Sequence, residues 1–299
     1  MSYGLKTIVD DFIDFLKSPK EKFNEILSTK QKWEILFSLL LLDFILVILA
    51  SIITAFIDSF LFELESEPLE ELFSNEGVFS IILMAAVVVP IIEELIFRLP
   101  LKYERNLVFH FLDFLFKNKA KTLWYKHFKI FFYLFAIVFA LVHLSNYNNT
   151  NFLFYLLAPL IVLPQFIGSL MIGYVRLKLG FFWGVLQHGL YNLIVFSIGL
   201  FLMNTNQVTQ VDNTNYSLEI NILEFGLNKP IKLETYKTGN NIDSIIGNNT
   251  TVKELAEILN ATDTILLKKV KRLNIRFINK TNAKNPETII LDELKKEFK

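Results

Sequence analysis

The sequence predicts an α-helical integral membrane bundle of about five spans, followed by a small soluble α/β domain. Hydrophobic residues make up 53% of the 299 residues, and 30 of them are phenylalanine. Several apolar runs approach the ~20 residues that a membrane-spanning helix needs. After Met203 the chain becomes polar and then alternates in the manner of strands. These observations divide the chain into a membrane part and a soluble part.

The first element is an amphipathic N-terminal leader, residues 1–33. Apolar side chains alternate with lysines over residues 5–32, and we expect the helix there to be interrupted at Ser18 and Pro19. The leader would lie either on the membrane surface or against the bundle, and the sequence favours neither placement. This charged start does not have the pattern of a cleavable signal peptide.

The membrane core, residues 34–203, contains five apolar segments that are expected to span the bilayer. They cover residues 34–57, 78–101, 130–145, 152–175 and 180–203. Lysine and arginine are concentrated in the leader and in the second and fourth connections, whereas the first connection is acidic and the third is uncharged. By the positive-inside rule, the N-terminus is cytoplasmic and the C-terminal domain is extracytoplasmic. Richness in Asn, Lys, Ile and Phe is typical of an AT-rich bacterial genome, and we expect the protein in the bacterial inner membrane.

The connections and the soluble part carry no recognisable chemistry. Residues 102–129 are basic and aromatic and are expected to lie at the inner interface, together with His110 and His127. Residues 204–215 read as a polar linker, and residues 216–299 as a small α/β domain with a binding or regulatory role. Its expected strands are 216–225, 231–236 and 272–278, and its expected helices are 251–259 and 291–298.

Charged residues inside the second span are the first sign of a functional site. A charge at the centre of a spanning helix costs about 2.5–3.5 kcal/mol on insertion scales, so it usually faces a bundle interior or a water-filled cavity. Glu94 and Arg98 are four residues apart and can neutralise each other on one helix face. Glu93 lies about 100° around the helix and is free to face another partner. Pro90 removes one helical hydrogen bond, which predicts a local kink before Glu93.

Two later spans each carry one histidine, His143 and His188, and Asn192 follows His188 by one turn. At about 1.5 Å per residue, Glu93, His143 and His188 lie roughly 13, 21 and 12 Å from the inner ends of their spans. Allowing for helix tilt, the kink and the undefined ends of the spans, the three side chains can meet near the middle of the membrane. In the first span Asp43 is a further carboxylate, for which we expect a structural role.

A carboxylate and two imidazoles around one point suit two kinds of chemistry. Glu93 and His143 could activate a water molecule, with His188 and Asn192 stabilising an oxyanion. Alternatively, Glu93, His143 and His188 could hold Zn²⁺ with one open position. The sequence does not choose between them. Cysteine-ligated zinc, thiolate nucleophiles and disulfides are excluded because the chain has no cysteine.

The order Glu-Glu-x-x-x-Arg, Phe-x-x-x-His and His-x-x-x-Asn resembles the CPBP family of intramembrane proteases. This family includes the CAAX prenyl endopeptidases and the bacterial "Abi" proteins tied to bacteriocin processing or self-immunity. The resemblance covers about residues 78–203 and implies a helical membrane core that cleaves peptides near the membrane surface. It implies Glu93 and His143 as the water-activating pair and His188 and Asn192 as oxyanion stabilisers. It also implies supporting roles for the remaining motif residues, Glu94, Arg98 and Phe139. Members are described both as metalloproteases and as glutamate-dependent proteases.

Three functional hypotheses follow. The first is a membrane-embedded endopeptidase of the CPBP/CAAX type, whose partners are the lipid bilayer and a peptide or membrane-protein substrate. The second is a non-enzymatic membrane scaffold or bacteriocin-immunity factor with the same fold. The third, a proton-coupled transporter, is disfavoured because no inverted repeat is visible. Lys+Arg and Asp+Glu balance at 30 each, so the charge gives no argument for nucleic acid as a partner.

Overall fold

The computed structural model describes residues 4–64, 77–116, 119–203, 208–223, 232–239, 241–269, 271–281 and 285–297. The chain divides into two compact units. We call Met1–Glu65 with Ile82–Phe196 the membrane unit, and Ser66–Ile81 with Ser197–Lys299 the sheet unit. Each unit has its own hydrophobic core.

Five helical segments are long and apolar enough to cross a membrane, as the sequence predicted. They are Thr29–Phe60, Val78–Leu101, Phe128–Asn146, Phe152–Leu179 and Phe181–Gly199. The first is a single helix, α2 (Thr29–Phe60), and the last belongs to α10 (Phe181–Met203). The others are built from shorter pieces. These are α3 (Val78–Leu83), a π turn (Met84–Val88), α4 (Val89–Phe97), α7 (Phe128–Val142), α8 (Phe152–Ile161) and α9 (Leu163–Leu179).

The leader forms helix α1 (Leu5–Lys17), which packs on the bundle. Phe15 is buried against Phe132 and Tyr174, with ring centroids 5.0 Å apart in both pairs. Of the two placements that the sequence left open, the structure therefore has the helix against the bundle.

Residues 19–28 are not helical, whereas we expected helix on both sides of Ser18 and Pro19. Glu21 lies in this extended stretch and accepts hydrogen bonds from the Tyr103 amide and from Trp124 Nε1. Burial raises the pKa of Glu21, although the Trp124 hydrogen bond acts in the opposite direction. These long-range bonds hold the stretch in place of helical ones. Ser28 then starts α2 through a capping box with Gln31.

Two short helices, α5 (Leu107–Phe116) and α6 (Lys119–Lys126), form the second connection. Trp124 of α6 is fully buried and lies edge-on to Phe109 of α5, with ring centroids 4.7 Å apart. The His110 ring lies 4.9 Å from the ring of Tyr103. His110 therefore packs within the second connection, and its position at the inner interface stays a prediction.

The sheet unit confirms the small C-terminal sheet domain. Its five strands are antiparallel in the order β1-β2-β5-β4-β3. They are β1 (Val208–Asp212), β2 (Tyr216–Leu223), β3 (Lys232–Thr238), β4 (Asn241–Thr251) and β5 (Arg272–Asn279), accompanied by α11 (Val252–Ile258) and α12 (Pro286–Glu297).

Two strands differ from the sequence-based expectation. β1 lies inside the segment 204–215, which we expected to be a linker. β4 was not predicted, because a register shift between Gly247 and Thr250 breaks the alternation that identifies a strand. Its many asparagines also have low β-propensity.

Candidate active site

A π turn shapes the second span just before the charged residues. The amide of Val89 donates to the carbonyl of Met84, five residues earlier, and Pro90 follows in the first turn of α4. The irregularity that we expected at Pro90 therefore takes the form of a π turn. Such single turns are frequent at functional sites because they redirect the side chains that follow.

Glu94 and Arg98 form a buried ion pair, as their spacing predicted. The Nε atom of Arg98 lies 3.5 Å from Oε1 of Glu94, and their side chains are 2% and 0% exposed. The Arg98 guanidinium also lies 3.7 Å above the ring of Phe139, in cation–π contact. The carbonyl of Arg98 accepts a hydrogen bond from Arg176 Nε at 3.1 Å. This pair anchors α4 to α7 and α9.

Glu93 faces the two histidines. Its Oε1 lies 4.0 Å from Nε2 of His143, and its Oε2 lies 3.4 Å from Nε2 of His188. The Glu93 side chain is 21% exposed, in contrast to the fully buried Glu94. The structure thus brings together a carboxylate and two imidazoles from three spans.

The other nitrogen of each histidine is also bound. Nδ1 of His143 lies 2.8 Å from the Phe139 carbonyl, and Nδ1 of His188 lies 3.1 Å from Oε1 of Glu94. A carbonyl only accepts hydrogen bonds, so we assign the proton of His143 to Nδ1. An ionised Glu94 places the proton of His188 on Nδ1 in the same way.

This assignment leaves acceptors facing acceptors at the centre of the site. The Nε2 lone pairs of neutral His143 and His188 point towards the Glu93 carboxylate, which only accepts when ionised. A proton, a water molecule or a cation is needed to bridge such groups. The geometry therefore suits a group that holds and deprotonates water.

Asn192 is placed differently from the histidines. Its Nδ2 donates to the backbone carbonyl of Ala85 in the π turn, at 2.8 Å. One turn earlier on the same helix, Gly189 packs against the carbonyl of Ala86. Asn192 thus contacts the second span about two turns before Glu93.

Three residues near the site were missed by the sequence analysis. Arg176 was counted as a flanking charge of the fourth connection, but it lies in α9 and is buried. Gly184 has no side chain and so leaves room for the Glu94–Arg98 ion pair, since a Cβ there would lie 3.4 Å from Oε2 of Glu94. Gln187 is fully buried, and its side-chain amide has no hydrogen-bond partner among the described residues. The small residue one turn before His188 was the one available signal of close packing.

The donor types of Glu93, His143 and His188 suit zinc, but their arrangement does not. Two ligands of a tetrahedral zinc ion lie roughly 3.3 Å apart. The Glu93–His188 distance of 3.4 Å fits this value, whereas the Glu93–His143 distance of 4.0 Å exceeds it. Among the described residues, no group of three His, Cys, Asp or Glu is arranged to hold a metal ion.

Part of the chain matches a known protein-family model. The family model described as type II CAAX prenyl endopeptidase, Rce1-like, matches residues 75–194. The matched segment contains all four residues expected to be catalytic, Glu93, His143, His188 and Asn192. A comparison with curated proteins gives no match, and neither does a comparison with solved structures.

Proposed function

We propose that this chain is an intramembrane protease that hydrolyses a peptide bond with water activated by Glu93, because residues 75–194 match the family model of the Rce1-like CAAX prenyl endopeptidases. One observation carries the mechanism: a partly exposed carboxylate faces Nε2 of His143 at 4.0 Å and Nε2 of His188 at 3.4 Å. Hydrogen-bond partners on both Nδ1 atoms hold the two rings in this orientation.

In the proposed reaction, Glu93 removes a proton from a water molecule that also donates to Nε2 of His143. The hydroxide oxygen bonds to the carbonyl carbon of the scissile peptide, and the carbonyl oxygen becomes an oxyanion. The proton passes from Glu93 to Nε2 of His188, while Glu94 holds the Nδ1 hydrogen. The resulting imidazolium donates to the oxyanion. Finally, the C–N bond breaks and the proton moves to the leaving nitrogen.

The substrate we propose is a peptide or membrane protein whose cleaved bond lies close to the bilayer. This proposal is supported by the fact that Glu93, His143 and His188 belong to helical segments long and apolar enough to cross a membrane. With the N-terminus in the cytoplasm of a bacterial cell, the site would open towards the inner face, because the charged connections follow the positive-inside rule. CAAX denotes a C-terminal cysteine sequence that is a prenylation site in other proteins. The experiment therefore compares peptides with and without a prenyl group.

The test uses the purified full chain in liposomes and quenched fluorescent peptides ending in a CAAX sequence, with and without a farnesyl group. We expect Glu93→Gln to lower kcat/KM by about 10²–10⁴-fold, the range for loss of a general base. Glu104→Gln is the matched control, because Glu104 is exposed and pairs with Lys22 away from the site. Full activity in the Glu93→Gln variant would refute the assignment. Loss of cellular function in sheet-unit variants alone would favour the scaffold hypothesis.

Metal dependence is tested on the same protein. After treatment with a chelator and elemental analysis for zinc, we expect cleavage to continue without bound metal. Loss of activity that added Zn²⁺ restores would instead assign a metal to Glu93 and the two histidines. In that case, the distance between Glu93 and His143 would have to shorten on binding.

A further inference from the structure

The π turn leaves one backbone carbonyl without its usual donor. In an α-helix, the carbonyl of Ala85 would accept from the amide of Val89, and in a π turn from residue 90. The Val89 amide is already bound to the carbonyl of Met84. Residue 90 is proline, which has no amide hydrogen. Neither helical donor is therefore available to Ala85.

Two residues of helix α10 contact the carbonyls of this turn. Nδ2 of Asn192 donates to the Ala85 carbonyl at 2.8 Å, in place of the missing amide. At Gly189 the helix backbone approaches the neighbouring carbonyl, Ala86, so closely that a Cβ would lie 2.5 Å from its oxygen. Only glycine allows this approach without a shift of the backbone.

We propose that Gly189 and Asn192 form a clasp that preserves the π turn and so sets the direction of Glu93. The extra residue of a π turn rotates the following residues by about 100° around the helix axis. If the turn relaxed to a regular helix, Glu93 would no longer face His188. Because His188 and the clasp lie on one helix, a single rigid element fixes both contacts. Asn192 is then a positioning residue through the one Nδ2 hydrogen that it donates to Ala85, and its second Nδ2 hydrogen is not needed for this role.

The test compares Asn192→Ala in two backgrounds, the natural chain and Pro90→Ala. An alanine at 90 supplies an amide hydrogen to the carbonyls that the clasp covers. We expect Asn192→Ala to lower the unfolding temperature in detergent and to lower kcat/KM by about 100-fold, as for misplaced catalytic groups. Both losses should be smaller in the Pro90→Ala background. Asn151→Ala is the control, because Asn151 caps α8 through the Phe154 amide and should not couple to Pro90.

The acid limb of the pH–rate profile, in which kcat/KM is measured against pH, shows whether Asn192 positions Glu93 or only stabilises the fold. A displaced Glu93 shifts this limb in Asn192→Ala, whereas a structural loss lowers stability and leaves the limb in place. If Asn192 acts only by donating to the oxyanion, kcat falls equally in both backgrounds at an unchanged unfolding temperature. Either of these two outcomes overturns the proposal.

Gly189→Ala gives an independent test if the Pro90→Ala variant folds poorly. We expect the same shift of the acid limb, because an added methyl group pushes α10 away from the π turn. Gly199→Ala is its control, since a Cβ there meets no atom within 4 Å in the described part of the chain. The activity measurements rest on the proposed function. The coupling of Asn192 to Pro90 in unfolding temperature does not, so the two proposals fail separately.

Discussion

The two units differ in how completely their buried polar groups are hydrogen-bonded. In the sheet unit, Asn249 and Thr250 are buried and bonded. The backbone amide of Asn249 donates to Oδ1 of Asn274 at 2.9 Å, and the Thr250 hydroxyl donates to Glu254 at 3.2 Å. In the membrane unit, several buried polar atoms have no hydrogen-bond partner among the described residues. They belong to Asp43, Thr54, Glu94, Arg98, Gln165 and Gln187.

This difference points to where the chemistry lies. A buried polar group without a partner costs about 1–3 kcal/mol, and such groups persist in native proteins mainly where function requires them. Glu94, Arg98 and Gln187 lie on the same spans as Glu93 and His188. Among the described residues, the membrane unit therefore retains buried polar atoms without partners near its site, whereas Asn249 and Thr250 of the sheet unit are hydrogen-bonded.

The largest expected effect comes from breaking the buried ion pair. Glu94→Leu leaves Arg98 without its carboxylate in an apolar environment, which costs about 3–5 kcal/mol for a buried pair. We expect thermal unfolding in detergent to show a strongly destabilised protein. The double variant Glu94→Leu with Arg98→Met should recover most of this stability, because no lone charge remains buried.

Recovered stability should not bring recovered activity. His188 loses the carboxylate on Nδ1 in the double variant, so its ring is no longer held towards Glu93. A double variant that cleaved peptide at the natural rate would show that Glu94 serves the fold alone. It would also weaken the contrast between the two units.

Substitution of Asp43 tests, away from the site, what a buried polar group without a partner costs in stability. The Asp43 side chain is 1% exposed, and neither oxygen has a partner in the described ranges. We expect Asp43→Leu to raise the free energy of unfolding by about 1–3 kcal/mol, because the unpaired carboxyl is replaced by an apolar group. Denaturation of the purified protein measures this change.

Asp113 is the control for Asp43. It is also buried, but its oxygens accept hydrogen bonds from the Tyr103 hydroxyl and the Lys121 amide. Asp113→Leu should therefore destabilise the protein. If both substitutions destabilise equally, Asp43 has a partner comparable to those of Asp113.

Local rules explain what could be predicted from the sequence. Apolar length identified the five spans, and the four-residue spacing identified the Glu94–Arg98 pair. Both features depend on residues close together in the chain. The meeting of Glu93, His143 and His188 was predicted from their approximate depths together with the order of the three motifs, which resembles that of a protease family.

The remaining features depend on backbone hydrogen bonding and on neighbouring helices. The partner of Asn192 is a carbonyl that becomes available only because of the π turn and Pro90. Residue type suggested a charge exposed in a connection for Arg176, yet α9 extends past it and buries it. The strand β4 was hidden by its register shift. Such features require knowledge of which backbone groups remain unpaired.

The smallest expected effect lies in the sheet unit, at the capping box of α11. The Thr251 hydroxyl accepts from the Glu254 amide at 3.1 Å, and Glu254 Oε2 accepts from the Thr251 amide at 2.8 Å. Thr251→Ala should cost about 1 kcal/mol, the usual value for a lost helix cap. Faster hydrogen–deuterium exchange over residues 241–259 measures this loss. Peptide cleavage should stay unchanged, because the proposed catalytic groups all lie in the membrane unit.

The same cap gives a pH dependence with a defined sign. Burial acts to raise the pKa of Glu254, but hydrogen bonds from Thr251 and Thr250 outweigh it and lower the pKa. A lowered folded-state pKa contributes stability above the unfolded value and loses it as the pH falls through the folded value. Exchange protection of the natural chain should therefore decline in acid, while Glu254→Gln should lack this decline. An equal decline in both would assign the acid sensitivity of this helix to another carboxyl and leave the cap with only its pH-independent hydrogen bonds.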